Sequence, residues 1–133
     1  MCLVVDGEPY RGARGQAVVL GAPPVEVVAS GLALQRLSGL DRAQDVLASA
    51  EHDELVASAA ALLGQTVAVV ANALDPEVIV LGGGLGGDDG FRARVAREVT
   101  ARIAYPAEPP LEITGSLLAA DGGIVGAALC AAR

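Results

Sequence analysis

The run Val78-Ile79-Val80-Leu81-Gly82-Gly83-Gly84-Leu85-Gly86-Gly87 constrains the fold of this chain more than any other stretch. Four aliphatic residues between the breaker Asp75-Pro76 and a glycine cluster read as a short strand buried on both faces. Beyond the glycines, Asp88 or Asp89 can cap a helix predicted from about Phe91 to Ala104, with Arg92, Arg94, Arg97 and Arg102 mostly on solvated faces. Strand, glycine loop and helix in that order point to an open α/β architecture. Missing side chains let a ligand approach the backbone, and a helix start offers unpaired N–H groups to an anion. Gly82, Gly83 and Gly84 are therefore candidate nucleotide contacts, although a plain glycine-rich turn explains the same residues. The spacing Gly82-x-Gly84-x-x-Gly87 also fits a dinucleotide fingerprint. Against it, Glu112 lies near the start of the next strand rather than its end, and Asp88 and Asp89 would repel a pyrophosphate.

The second constraint is Leu55 to Leu74, twenty residues without a charge and long enough to cross a bilayer. Ser58, Gln65 and Asn72 recur on one helix face, while Ala57, Ala61, Ala68 and Ala71 offer small surfaces for close packing. Both ends are acidic, so no positive flank sets an orientation. The segment reads as the core helix of a water-soluble domain, with Asp53 as its N-cap.

Elsewhere, Leu3 to Val5, Asp6-Gly7 and Glu8 to Tyr10 read as a hairpin. A helix is predicted over Val25 to Leu37, stopped by Ser38-Gly39, and a short one over Asp41 to Ala50. Leu111 to Thr114 reads as a second short strand, and Ile124 to Arg133 as a closing helix of small residues after Asp121-Gly122-Gly123. The 133 residues contain only three aromatics (Tyr10, Phe91, Tyr105), so the core must be aliphatic; a single domain over 1–133 is expected. Sixteen acidic against nine basic residues give a net charge of −7, which opposes binding to nucleic acid or anionic lipid by this chain alone. Cys2 and Cys130 have no metal-ligand spacing and no signal peptide pattern is present, so free thiols and a cytoplasmic location are expected.

Other titratable residues have structural explanations that compete with chemical ones. Asp6 could serve as a general base, but an Asp-Gly turn accounts for it better. His52, flanked by Glu51, Asp53 and Glu54, reads as an exposed loop residue rather than a base. Asp121 can cap a helix or meet a ligand, and Glu26 sits in a first helical turn where the dipole favours a carboxylate.

Together these stretches resemble the C-terminal half of the ROK family, bacterial sugar kinases and sugar-responsive repressors that share the actin-like ATPase fold. The resemblance rests on Leu3 to Gly15, on Glu26-Val27-Val28-Ala29-Ser30-Gly31, on Leu74 to Gly84 and on Ile124-Val125-Gly126-Ala127-Ala128. It covers nearly the whole chain, and Leu74 to Gly84 is its most specific part. It implies an α/β fold, the C-terminal subdomain of the actin-like ATPase (ribonuclease H-like) fold, with an incomplete mixed sheet and flanking helices.

The resemblance also assigns roles. Gly82, Gly83 and Gly84 would border the adenosine of ATP or ADP, and Glu26 would hydrogen-bond a sugar hydroxyl. The family's Gly-Glu-Leu-Gly-His stretch falls on Val18-Val19-Leu20-Gly21-Ala22, which removes two polar sugar contacts. A short Ala22-Pro23-Pro24 connection stands in place of the cysteine-rich zinc loop, so no zinc is expected. The family's first phosphate loop, its catalytic aspartate and most of its second phosphate loop precede the residue matching Leu3. The expectation is accordingly a glucokinase-like nucleotide-side lobe without its N-terminal lobe, with no catalytic residue of its own. It would bind nucleotide weakly, take Mg²⁺ only with that other lobe, and associate with itself or with the lobe it lacks. The alternative is the effector-binding portion of a ROK transcriptional repressor.

Overall fold

The computed structural model describes residues 1–17, 25–106, 108–118 and 121–131. The stretches Val18 to Ala22 and Ala22 to Pro24, matched above to the sugar and zinc positions, lie outside the described residues. The chain opens with an antiparallel hairpin, β1 (Val4–Val5) and β2 (Glu8–Pro9), in which Val4 faces Pro9 and Val5 faces Glu8. Asp6 and Gly7 both take positive φ, 52° and 78°, the backbone of a type I′ turn that Asp-Gly suits, and the Tyr10 N–H donates to the Leu3 carbonyl at 2.8 Å. Asp6 is thus held in the turn.

The helix expected over Val25 to Leu37 is two helices, α1 (Val25–Val28) and α2 (Gly31–Ser38). Ser30 breaks it: its backbone is extended and its hydroxyl accepts the Ala33 N–H at 3.1 Å, so a second helix starts where a continuous one was expected. Gly39, at φ 77°, closes α2 by donating to the Gln35 carbonyl. Next come α3 (Ala43–Ala48), a 3-10 turn over Ala50–His52, and α4 (Asp53–Leu74). Asp53 is the first helical residue and not the cap; its carboxylate is engaged by Arg94 instead. His52 ends the 3-10 turn and is half-buried.

Strand β3 (Val78–Leu81) pairs in parallel with β4 (Glu112–Gly115), Val78 beside Glu112 and Leu81 beside Gly115. Between them lie a single helical turn, α5 (Gly83–Gly86), and α6 (Asp89–Thr100); α7 (Gly122–Ala131) follows β4. The one incomplete mixed sheet that was expected is, among the described residues, two separate two-stranded sheets, one antiparallel and one parallel.

The core lies between α4 and α6. Val56, Ala59, Ala60, Gly64, Val67, Ala68 and Ala71 are buried on α4, and Phe91, Val95 and Val99, four residues apart, are buried on α6. Leu34 of α2 and Val46 of α3 complete the cluster, with Ile79 and Leu81 of β3 packed against it. Of the alanines expected to pack, Ala68 and Ala71 are buried, Ala61 is half-buried and Ala57 is exposed. Helix α4, with the 3-10 turn before it, is long and apolar enough to cross a membrane, and here its apolar stripe is the inner wall of the core.

Two further expectations change. Strand β3 is covered on one side only: Ile79 and Leu81 face the helices, while Val78 and Val80 are 42% and 56% exposed. Four aliphatics in a row mark both faces as apolar but do not supply the second layer. Helix α6 ends at Thr100, short of Ala104, because the Asn72 carboxamide captures the chain beyond it. Asn72 Nδ2 donates to the Arg102 carbonyl and its Oδ1 accepts the Ala104 N–H, both at 2.8 Å.

Candidate functional site

Because β3 and β4 are parallel, Leu81 and Gly115 end at the same edge of the sheet, the position at which open α/β proteins bind ligands. The edge is tied together by the Ser116 N–H, which donates to the Leu81 carbonyl at 3.0 Å. Gly82 continues the extended chain, at φ −117° and ψ −175°, and Gly83 then turns it at φ 72°, a region in which an L side chain is strained. The Gly87 and Asp88 N–H groups donate to the Gly83 and Leu85 carbonyls at 3.0 and 3.1 Å and close the turn of α5. Gly86 is held to glycine by crowding, since a Cβ there would stand 2.6 Å from the Leu81 carbonyl carbon.

This turn forms one wall of a cleft of about 290 Å³. Leu81, Gly82, Gly84, Leu85 and Gly86 line that wall, and Ala29, Gly31, Ala43, Leu63 and Phe91 line the rest. None of these ten residues carries a charged or hydrogen-bonding side chain. A polar side chain beside the glycine turn is the Gln44 carboxamide on α3, whose nitrogen lies 3.6 Å from the position a Gly84 Cβ would take. The α1–α2 break at Ser30 shapes the opposite wall, bringing Ala29 and Gly31 to the cleft.

The start of α6 does not offer the open anion site that the sequence suggested. Asp88 is its cap, with Oδ1 accepting the Phe91 N–H at 2.7 Å, so a carboxylate already occupies the helix terminus. A phosphate there would meet a negative charge, whereas an uncharged planar group in the apolar cleft would not. The dinucleotide reading, which places a pyrophosphate on the helix start, loses its main support for the same reason.

The candidate residues are only partly brought together. Gly82 and Gly84 line the cleft, and Gly83 supplies the turn between them. Glu26 lies in the first turn of α1, exposed and outside the cleft lining, with Ala29 three residues further on as the nearest lining residue in sequence. His52 and Asp121 are also outside the lining; Asp121 is exposed and its N–H donates to the Leu118 carbonyl at 2.8 Å. Sequence reasoning missed Ala29, Gly31 and Ala43, whose types carry no chemical signal, and Gln44, whose amide nothing in the sequence places beside the glycine turn. It also misplaced Arg92, which is half-buried: Nη1 donates to the Gly86 carbonyl at 2.9 Å and Nη2 to Asp89 Oδ1 at 2.5 Å.

Comparison with known proteins agrees with this architecture. A family model described as the ROK family matches residues 24–133. The bifunctional enzymes NanE/NanK of Brucella melitensis biotype 1 and Brucella suis biovar 1 are each 34% identical over 148 aligned positions, covering 98% of this chain. The crystal structure of ROK hexokinase from Thermus thermophilus superposes with a TM-score of 0.72 at 27% identity, over 96% of this chain. The chain spans 28% of the length of those two curated relatives and 51% of the hexokinase chain.

Proposed function

Because the chain belongs to the ROK family and has the architecture of the C-terminal subdomain of the actin-like ATPase (ribonuclease H-like) fold, we propose that it is the nucleotide-side lobe of a glucokinase-like sugar kinase lineage. In this reading the cleft beside Gly82, Gly83 and Gly84 receives the adenosine of ATP or ADP. One observation carries it: the glycine turn, bare of side chains, backs an apolar cleft at the carboxyl ends of two parallel strands. At about 290 Å³ the cleft is at the small end of the range of ligand pockets, ~300–1,000 Å³, which suits a nucleoside better than a whole nucleotide.

Phosphoryl transfer needs a clamped γ-phosphate, a metal ion and an activated hydroxyl in line. Among the described residues the cleft lining holds no carboxylate and so does not fit Mg²⁺, which asks for hard oxygen ligands. The chain by itself therefore binds nucleotide weakly and transfers no phosphate. Glu26, on the exposed face of α1, is the proposed sugar contact.

Calorimetric titration of the chain with ADP tests the nucleotide reading. Millimolar or tighter affinity is expected, lost in Gly82→Val. That site has extended backbone, and a Cβ there meets only Ser116 at 3.8 Å, so the variant adds bulk to a residue that lines the cleft without straining the backbone. No heat with the unmodified chain at millimolar ADP contradicts the proposal. A second reading, the effector portion of a ROK repressor, draws on the apolar Val18-Val19-Leu20-Gly21-Ala22 stretch in place of the family's polar sugar contacts. A helix-turn-helix encoded in frame upstream would favour it, and a phosphate loop there would favour the kinase.

A further inference from the structure

Arg92 follows the cap Asp88 by one helical turn, and only 22% of its side chain is exposed, although the sequence placed it on a solvated face. Its guanidinium lies between the glycine turn and the end of β4. On one side Nη1 donates to the Gly86 carbonyl at 2.9 Å. On the other, a Cβ at Gly115 would lie 2.9 Å from Nη1 and 3.1 Å from Cζ, so the last residue of β4 is bare where the guanidinium rests. Asp89, on the same helix, holds Nη2 at 2.5 Å. With the Ser116-to-Leu81 hydrogen bond, these contacts close a ring from the end of β3 through the glycine turn and Arg92 to the end of β4.

We propose that Arg92 is a positioning residue that latches the Gly83–Gly86 turn to the carboxyl ends of β3 and β4 and so keeps the cleft in its ligand-receiving shape. The ligand half of this proposal rests on the nucleotide reading above. The geometry requires arginine in particular. A planar fork can donate to Gly86 and Asp89 while resting against Gly115, whereas a lysine ammonium is a single point that cannot do all three.

Two variants approach the latch from opposite sides. Arg92→Met removes the guanidinium, and Gly115→Ala leaves Arg92 in place but occupies its resting surface. In both, the Gly87 and Asp88 amides, which close the turn, are expected to exchange at least about tenfold faster, while Ala68 and Val95 amides keep their protection. ADP affinity is expected to fall about tenfold in step, and Arg92→Lys to recover only part of it. Unchanged exchange of Gly87 and Asp88 in both variants overturns the latch. A loosened turn with undiminished ADP affinity overturns its role at the site. Absence of ADP binding by the unmodified chain removes the nucleotide reading and the ligand half together, and the exchange measurement still decides the latch.

Discussion

Asp53 and Arg94 join the start of α4 to the middle of α6, 41 residues apart in sequence. The hydrogen bond from Arg94 holds the Asp53 carboxyl below its ordinary value, with the guanidinium charge adding to the effect and desolvation opposing it. A carboxyl whose value is lower folded than unfolded stabilises the fold at pH above the ordinary aspartate range, ~4, and loses that contribution as pH falls through its folded value. Arg94→Met is therefore expected to destabilise the chain at pH 6 and to bring its melting temperature closer to the parent's by pH 2.5, as followed by circular dichroism. Tyr105 has the opposite sense. Burial, then its neighbour Asp75, pushes the phenol up, so its contribution is complete below ~10 and fades at higher pH. At the cleft, Gln44→Ala is expected to weaken adenosine binding about tenfold, the worth of roughly one hydrogen bond, without moving the melting temperature. Gln44 illustrates what a sequence withholds. An amide side chain on a short helix acquires meaning only when folding brings it beside Gly84.

Helices α4 and α6 approach each other closely at Gly64. A Cβ there would collide with the Glu98 side chain and stand 3.1 Å from the Val95 carbonyl oxygen. Gly64→Leu is expected to cost ~1–3 kcal/mol or more through overpacking, measured by urea denaturation, whereas Ser30→Ala at the start of α2 is expected to cost ~1 kcal/mol by loss of its cap. Both sites show how far pattern carries at this scale. The α4 period was legible because apolar residues recur along it, and the strand-glycine boundary at Leu81-Gly82 because both sides are compositionally sharp. The break at Ser30 was not, since apolar spacing continues across it and only the cap hydrogen bond marks the new helix. Likewise, Val78 and Val80 have the composition of buried residues, but their exposure depends on which layer covers β3, and adjacent sequence does not encode that.

At the scale of the whole molecule, an aliphatic core between α4 and α6 carries a parallel strand pair whose carboxyl ends bear the glycine turn. The order of elements and the ROK resemblance were legible from short motifs, above all Leu74 to Gly84. The opposite wall of the cleft was not, because Ala29 and Gly31 at the α1–α2 break and Ala43 on α3 come from two places in the chain that only folding brings to the turn. The described surface also offers a rival groove on the hairpin, between Val5 and Ala13. Nuclear magnetic resonance of the isotope-labelled chain titrated with adenosine separates the two most directly. The account predicts shifts concentrated at Ala29, Gly31, Ala43 and Gly82 to Gly86. Shifts confined to the hairpin, or none at millimolar adenosine, would contradict it.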